Sequence, residues 1–224
     1  MGVFVAIEGG DGSGKATQSA LLAEFAQNEL HKDVLKVSFP QYGQPSAYYA
    51  GKYLDGAYGD VNAVPADLAS LTYAIDRFAA KDAITSQLAK DNGIVIADRY
   101  VASNLAHQGT KFDNEAERHA YYDRMVQTEY GTLGIPRPDI NIVLILPTDL
   151  AQANVDKKDT RPYTNKKRDI HEADPNHLEK AKANYEELCR LYPNEFTAIQ
   201  CVDESGIMRP IEIIQQEIRN KLNF

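Results

Sequence analysis

The stretch Gly9-Gly10-Asp11-Gly12-Ser13-Gly14-Lys15 decides the fold of this chain. It follows a short apolar run at residues 3–7 and precedes a segment with helical spacing at 17–30. A strand, a glycine-rich turn and a helix that starts with lysine are typical of a phosphate-binding loop, because the glycines let successive N–H groups face inward and the helix adds its positive end. We therefore predict that a nucleoside triphosphate is bound by this loop and the start of the helix, with Lys15 at the β- and γ-phosphates. The predicted binding residues are Gly9, Gly10, Asp11, Gly12, Ser13, Gly14, Lys15, Ala16 and Thr17.

Apolar runs recur along the chain at intervals that suit a parallel sheet. They lie at residues 3–7, 34–39, 94–97, 140–146 and 197–202. Segments with helical spacing alternate with them at 17–30, 66–88, 174–191 and 210–222, and a short helix is expected around 49–54. Strands that alternate with helices long enough to cross back form right-handed crossovers. The pattern predicts an α/β fold with a central five-stranded parallel sheet flanked by helices, in a single domain over residues 1–224.

Composition narrows the classes of partner. The 224 residues include 24 basic and 32 acidic side chains, so a net charge of −8 favours neither nucleic acid nor an anionic membrane. No segment approaches the roughly 20 apolar residues that span a bilayer, and the amino-terminal residues lack the basic start of a signal peptide. Cys189 and Cys201 are expected to be buried free thiols. We expect a cytoplasmic protein that binds small molecules.

Two positions bear on metal binding. Ala16 stands where phosphate-binding loops usually place the Ser or Thr that contacts Mg²⁺, and Thr17 points about 100° further round the helix. Asp98 ends the strand at 94–97, at the sheet edge where ligands bind in open α/β proteins. Because Mg²⁺ keeps most of its waters, Asp98 can hold it through water. Arg99 has a planar fork of donors that suits a phosphate. We predict Lys15, Asp98 and Arg99 as catalytic residues and Mg²⁺ as the cofactor.

Four motifs, in order along the chain, resemble the thymidylate kinase family. Residues 8–18 match the family pattern Glu-Gly-x-Asp-Gly-x-Gly-Lys-x-Thr-Gln, and Asp98-Arg99-Tyr100 matches its Asp-Arg-Tyr/His signature. Phe39-Pro40 and the Pro-Arg-Pro-Asp at 136–139 match two further landmarks. The resemblance implies a three-layer P-loop kinase fold, transfer of the γ-phosphoryl group of ATP to dTMP to give dTDP, and a homodimer.

The resemblance also assigns an acceptor pocket. Asp11 would accept a hydrogen bond from the 3′-hydroxyl of dTMP, and Arg99 would contact the monophosphate. Tyr73 would stack on thymine and Arg77 would hydrogen-bond to it. The remaining members of this pocket are Phe39, Tyr42, Asn104, His107 and Gln108, with Asn104 and Gln108 facing the base and sugar.

The acceptor pocket departs from the family pattern at two places. The family commonly has an arginine two residues after Phe-Pro, where this chain has Gln41-Tyr42. Phosphate binding is then expected to shift to Arg99 and Lys15, or to use a weaker hydrogen bond from Tyr42. His107 stands where the family usually has Tyr or Phe against the 2′ position of the sugar, so discrimination against ribose is expected to be weaker.

A third departure concerns the catalytic cation. Gly12-Ser13 supplies no arginine to the phosphate-binding loop. Family members without that arginine supply one from a lid, and the charged segment at about 156–172 lies where the lid would be. Arg161 and Arg168 are the predicted catalytic lid residues, with Lys167 behind them.

Two other functions stay open. The chain could be a kinase for another nucleoside monophosphate, since His107 and Gln41-Tyr42 alter the acceptor pocket. It could also be a nucleotide-binding regulator that keeps the fold without turnover, a reading supported only by Ala16.

Overall fold

The computed structural model describes residues 2–155 and 175–222. The predicted lid at 156–172, with Arg161, Lys167 and Arg168, lies outside the described residues.

Five parallel strands form one sheet. They are β1 (Val3–Gly9), β2 (Asp33–Ser38), β3 (Gly93–Asp98), β4 (Ile140–Ile145) and β5 (Phe196–Gln200), in the order β2-β3-β1-β4-β5. All five predicted strands are present, with ends shifted by no more than two residues. Because β1 is central, its carboxyl end meets those of both neighbours, with Ile7 opposite Asp98 and Gly9 opposite Leu144.

Helices cover both faces of the sheet. They are α1 (Lys15–Asn28), α2 (Tyr48–Leu54), α3 (Ala66–Ala79), α4 (Lys81–Leu88), α5 (Val101–Gly109), α6 (Glu115–Val126), α7 (Thr148–Val155), α8 (Pro175–Leu191) and α9 (Ile211–Lys221). A 3₁₀ turn at Pro45–Ala47 leads into α2, and a π-helical segment at Gln127–Thr132 follows α6. The sequence did not point to α5, α6 or α7 as separate helices.

The prediction of a single helix at 66–88 was wrong. The chain leaves helical geometry at Ala80 (φ −88°, ψ −4°), whose N–H bonds to the carbonyl of Arg77, and α4 starts at the next residue. After this break α3 packs against α2 and α5, whereas α4 packs against β2 and β3. The apolar spacing could not show the break, because alanine is a strong helix former.

Side chains from alternate positions of the strands form two separate cores. On one face, Phe4 and Val95 pack with buried residues of α5, α6 and α8 such as Leu105, Tyr121 and Tyr185. On the other face, Val5, Ile96 and Ile142 pack with Leu22 of α1 and Ile218 of α9. Burial on both faces is why these strands read as almost continuous apolar runs.

The thiols and the helix lengths bear on two further predictions. Cys201 is buried and Cys189 half-buried, and both thiols are free, as predicted. Among the described residues, no helix is long and apolar enough to cross a membrane.

Candidate active site

The phosphate-binding loop joins β1 to α1 at the middle of the sheet's carboxyl edge. Gly12 has φ 81°, and a Cβ there would lie 2.2 Å from the carbonyl oxygen of Ala151, so only glycine fits. Gly14, with φ 95°, is the N-cap of α1 and supplies no side-chain oxygen to the first turn. The N–H groups of that turn and the positive end of the helix therefore suit an anion.

Lys15 is held over its own loop. Its side chain is buried, and Nζ donates to the carbonyl of Gly10 at 2.6 Å. A buried ammonium beside several glycine N–H groups makes this part of the site strongly attractive to phosphate.

A cavity of about 630 Å³ opens over the loop. Of the predicted site residues in the described ranges, all except Gly9 and Gly10 line it: Asp11, Gly12, Ser13, Gly14, Lys15, Ala16, Thr17, Phe39, Tyr42, Tyr73, Arg77, Asp98, Arg99, Asn104, His107 and Gln108. Gly9 is the last residue of β1, and Gly10 lines a smaller pocket beside the first. Residues that are far apart in sequence thus share one space.

The sequence reasoning missed one wall of the cavity. This wall consists of Asn154, Cys201, Met208, Arg209, Ile211 and Ile214. Arg209 donates to the carbonyl of Gln200 at 2.6 Å and to Glu217 at 2.7 Å, which fixes its guanidinium there. Only their place in the chain could have indicated these residues. Residues 201–210 follow β5, so they start at the same carboxyl edge of the sheet as Asp98.

Arg99 connects the phosphate-binding loop to α5. It follows β3 with φ 68°, a left-handed conformation that non-glycine residues seldom adopt. Its Nη2 lies 2.5 Å from Oδ1 of Asp11, and its Nη1 donates to Ser103 at 3.2 Å and to the carbonyl of Gly9 at 3.3 Å. Burial alone disfavours the charged guanidinium, but Asp11 and nearby acidic groups raise the pKa of Arg99 well above its usual value. Arg99 is therefore charged at every working pH.

Glu8 lies directly behind Arg99 and is fully buried. Its carboxylate accepts hydrogen bonds from the N–H of Tyr100 at 2.6 Å, the hydroxyl of Ser103 at 2.7 Å and the hydroxyl of Tyr185 at 3.2 Å. Burial raises the pKa of Glu8, and the bonds from Ser103 and Tyr100 together with the charge of Arg99 oppose the rise. The carboxylate links β1, α5 and α8 where the three elements meet.

A buried polar group closes the far end of the cavity. Arg77 of α3, 1% exposed, donates through Nε and Nη2 to the two oxygens of Glu129 at 2.5 and 2.7 Å. Glu129 belongs to the π-helical segment, a geometry often found at functional sites. Asn104 donates through Nδ2 to Glu129 at 3.0 Å and to the carbonyl of Ser70 at 3.1 Å. Both partners of Nδ2 are oxygen acceptors, so the amide orientation is fixed and Oδ1 is its remaining polar atom.

Aromatic side chains form the wall next to this group. Tyr73 meets Tyr53 edge-on, with ring centroids 6.1 Å apart, and the hydroxyl of Tyr53 donates to Gln108 at 3.2 Å. Phe39 packs on Tyr100 at 5.6 Å. Phe39 and Tyr73 line the cavity and give it an aromatic surface, with Tyr100 and Tyr53 packed behind them.

Gln41, the residue at the first departure from the family pattern, is bound elsewhere. Its backbone N–H and its Nε2 donate to the buried carboxylate of Asp76 at 2.7 and 3.1 Å, and Asp76 also accepts from Ser46. Gln41 does not line the cavity, whereas Tyr42 does. Arg99, Lys15 and Tyr42, the residues to which phosphate binding is expected to shift, all line the cavity.

Comparisons with known proteins point to one family. The model of the thymidylate kinase family matches residues 7–218. The thymidylate kinase of Mycobacterium tuberculosis (strain H37Rv) is 33% identical over 188 residues, covering 83% of this chain and 85% of that protein. A putative thymidylate kinase of Aeropyrum pernix is 26% identical over 222 residues, 98% of this chain and 95% of that protein.

Solved structures agree in fold. The thymidylate kinase of Candida albicans, described as having broad substrate specificity, superposes with a TM-score of 0.73 at 18% identity, over 99% of this chain and 91% of that chain. The enzyme of Ehrlichia chaffeensis superposes with a TM-score of 0.66 at 20% identity, over 99% and 98%. These likenesses confirm the P-loop kinase fold that the motifs implied. With the family model matched over nearly the whole chain, the protein belongs to the thymidylate kinase family, a group of nucleoside monophosphate kinases.

Proposed function

We propose that the protein transfers the γ-phosphoryl group of ATP to dTMP, giving ADP and dTDP. Family membership supports the reaction. The hydrogen-bonding pattern of Arg77 and Asn104 at the far end of the cavity is the observation that carries the choice of acceptor.

Arg77 and Asn104 offer complementary groups to a thymine edge. A guanidinium has five N–H donors. In Arg77, two of them donate to Glu129 and a third donates to the carbonyl of Tyr100. The remaining hydrogens can donate to O4 of thymine, and Oδ1 of Asn104 can accept from its N3–H. Cytosine presents the opposite pattern, an acceptor at N3 and an amino group at C4, and would leave buried polar groups unpaired.

Uracil shares the polar edge of thymine, so the base preference must come from the 5-methyl group. Phe39, Leu54 and Tyr73 line the cavity and supply apolar surface. Filling a pocket with one methyl group contributes roughly 1 kcal/mol. We expect dTMP to be preferred over dUMP by a modest factor.

Asp11 and Arg99 complete the acceptor site. We propose that Asp11 accepts a hydrogen bond from the 3′-hydroxyl and that Arg99 contacts the monophosphate. An acceptor phosphate has a second pKa of about 6, so its oxygen is already ionised at neutral pH and needs no general base. Positioning and cationic stabilisation then supply the catalysis.

The donor phosphates belong at the loop. We propose that the N–H groups at the start of α1 and the ammonium of Lys15 hold the β- and γ-phosphates. Arg161 and Arg168, which lie outside the described residues, remain our candidates from the sequence for the cation that stabilises the transferring group.

The residues present fit a water-held Mg²⁺. Asp98 lines the cavity together with Lys15, whereas Ala16 brings no side-chain oxygen to it. A carboxylate that holds the ion through water suits a cation that dehydrates reluctantly. When bound, Mg²⁺ neutralises charge on the phosphates of ATP.

An apolar stripe on α3 supports the proposed homodimer. Leu68, Leu71, Ile75 and Phe78 recur at helical spacing on one side of α3 and are 58%, 39%, 47% and 48% exposed. Contiguous exposed apolar side chains of this kind mark interaction sites. We propose that a second copy of the chain covers them. The single domain over residues 1–224 and the cytoplasmic location stay predictions from the sequence.

An acceptor panel tests the proposed function. Release of ADP from ATP is measured with dTMP, dUMP, UMP, dCMP and AMP as acceptors. We expect the highest kcat/KM with dTMP, a smaller value with dUMP and very low values with dCMP and AMP. Preference for any other monophosphate would overturn the choice of acceptor, and saturable dTMP binding without turnover would favour the regulator.

A further inference from the structure

Asp76 is the neighbour of Arg77 on α3 but contacts a different part of the molecule. Consecutive side chains on a helix point about 100° apart. Arg77 lines the cavity, whereas Asp76 is fully buried outside it and meets the loop that follows β2. Neither the sequence motifs nor the family resemblance singled out Asp76.

The carboxylate of Asp76 accepts three hydrogen bonds from this loop. Its Oδ2 accepts from the N–H of Gln41 at 2.7 Å, and its Oδ1 accepts from Nε2 of Gln41 at 3.1 Å and from the hydroxyl of Ser46 at 2.6 Å. The second hydrogen of Nε2 is donated to the carbonyl of Asp76, 3.2 Å away. Both hydrogens of Nε2 thus go to one residue, which fixes the orientation of the amide.

The loop is held at two points by this one residue of α3. Between Gln41 and Ser46 the loop has its own turn, in which the N–H of Gln44 donates to the carbonyl of Gln41 at 2.9 Å. The 3₁₀ turn that contains Ser46 also packs on α3. A buried carboxylate is costly unless hydrogen bonds satisfy it, and the donors it loses would themselves be left unpaired. The loop therefore has a strong reason to stay where Asp76 holds it.

The residues on either side of Gln41 belong to the cavity. Phe39, Pro40 and Tyr42 line it, and Gln41 between them does not. In the sheet, β2 is the edge strand next to β3 and lies on the opposite side of β1 from β5. The loop after β2 is therefore at the same end of the cavity as Arg99, which follows β3, and away from the wall that follows β5.

We propose that Asp76 is a positioning residue for the acceptor site. It holds the backbone and the amide of Gln41, and so sets where the wall of Phe39, Pro40 and Tyr42 stands relative to Arg77. Two adjacent residues of α3 thereby fix the group that meets the base and the loop that faces it. The inference rests on the proposed binding of dTMP at this end of the cavity, which Asp76 itself does not line.

Gln41→Ala is the first test, because it removes both bonds from Nε2 without changing a residue of the cavity. We expect KM for dTMP to rise roughly 3- to 10-fold, as loss of a hydrogen bond implies, with KM for ATP within about twofold of the wild-type value. Gln44→Ala, a change at an exposed glutamine of the same loop, should keep the wild-type values.

Substitutions of Asp76 remove more of the contact. Asp76→Ala also leaves the backbone N–H of Gln41 without its acceptor, and we expect KM for dTMP to rise roughly 10- to 100-fold, as loss of hydrogen bonds to a charged group implies. Asp76→Asn keeps the shape and one acceptor oxygen, so its KM for dTMP should fall between those of the wild type and Asp76→Ala.

A double variant shows whether Gln41 acts through Asp76. If the two side chains act by the bonds between them, Gln41→Ala combined with Asp76→Ala should have a KM for dTMP within about twofold of that of Asp76→Ala alone. Effects that multiply in the double variant would overturn the proposed route through Gln41.

A purely structural role predicts a different result. Partial unfolding lowers the active fraction and hence the apparent kcat, and leaves both KM values unchanged, so each variant is assayed well below its thermal unfolding midpoint. Unchanged KM for dTMP in Gln41→Ala, or equal rises in KM for ATP and dTMP, would overturn the inference even if Asp76→Ala does not fold. If the wild type prefers another monophosphate, the choice of acceptor fails, and the same comparison with that acceptor decides the role of Asp76.

Discussion

Nη2 of Arg99 lies 2.5 Å from Oδ1 of Asp11, so the residue after β3 and a residue inside the phosphate-binding loop form one ion pair inside the cavity. Both side chains are mostly buried, and a pair of this kind holds each partner in place only while the other is present. The two groups proposed to bind the sugar and the phosphate of dTMP therefore position each other.

Breaking this pair should weaken acceptor binding. Asp11→Asn removes the charge but keeps a side chain of the same shape. We expect kcat/KM for dTMP to fall roughly 10- to 100-fold, in line with loss of one hydrogen bond to a charged group, with little change in KM for ATP. Steady-state kinetics in both substrates measure this, with Glu24→Gln on the exposed side of α1 as the charge-matched control. An equal loss for both substrates would contradict the assignment.

Removing the ammonium at the loop should abolish most of the turnover. Lys15→Ala is expected to lower kcat by at least roughly 100-fold, because the β- and γ-phosphates lose their cation, while the fold stays intact. Turnover is read from ADP release and folding from thermal unfolding. Lys36→Ala, an exposed lysine on β2, should behave as the wild type. Near-normal turnover in Lys15→Ala would refute the phosphate-binding role of the loop.

The buried pair of Arg77 and Glu129 should matter for stability as well as for the base. Glu129→Ala leaves a buried guanidinium without its counter-ion, and we expect the free energy of unfolding to fall by about 3–5 kcal/mol. Asp67→Ala removes the exposed pair with Arg124 and should cost about 0–1 kcal/mol. Urea unfolding compares the two. A loss below 1 kcal/mol in Glu129→Ala would show that the pair is dispensable.

Placing charge on α3 should separate the proposed dimer. Leu71→Glu combined with Ile75→Glu puts two carboxylates in the middle of the apolar stripe, where burying them against a partner is costly. Sedimentation velocity should show a dimer for the wild type and a monomer for the double variant. Ile213→Glu, an equally exposed apolar position on α9, serves as the control. A wild type that sediments as a monomer would reject the dimer.

Kinetic measurements can also identify the arginine that replaces the one missing from the phosphate-binding loop. If an arginine from the segment at 156–172 stabilises the transferring phosphoryl group, Arg161→Ala or Arg168→Ala should lower kcat by roughly 10³-fold, with much smaller changes in either KM. Lys158→Ala is the matched control in the same segment. Two arginine variants with near wild-type kcat would mean that the described cations, Lys15 and Arg99 among them, are sufficient.

Much of the site could be predicted from the sequence because its residues lie in short contiguous motifs. Residues 9–17 and 98–99 each join a buried strand to a helix, and a parallel sheet brings such junctions to one edge. Arg77 and Asn104 lie on helices, and only the family resemblance singled them out. Arg209 and Met208 were missed because nothing in their residue types distinguishes them from other loop residues.

The sequence by itself determined the α/β class, the five strands and the phosphate-binding loop, since burial on both sheet faces and the special backbone of glycine leave local signals. The tertiary structure decided which polar atoms meet. The bond from Asp11 to Arg99, the pair of Arg77 with Glu129, the capture of Gln41 by Asp76 and the contact between His107 and His177 each join residues from different elements. A hydrogen bond forms only when the donor and acceptor atoms are placed to within a few tenths of an ångström, and no local pattern in the chain encodes the relative placement of two separate elements.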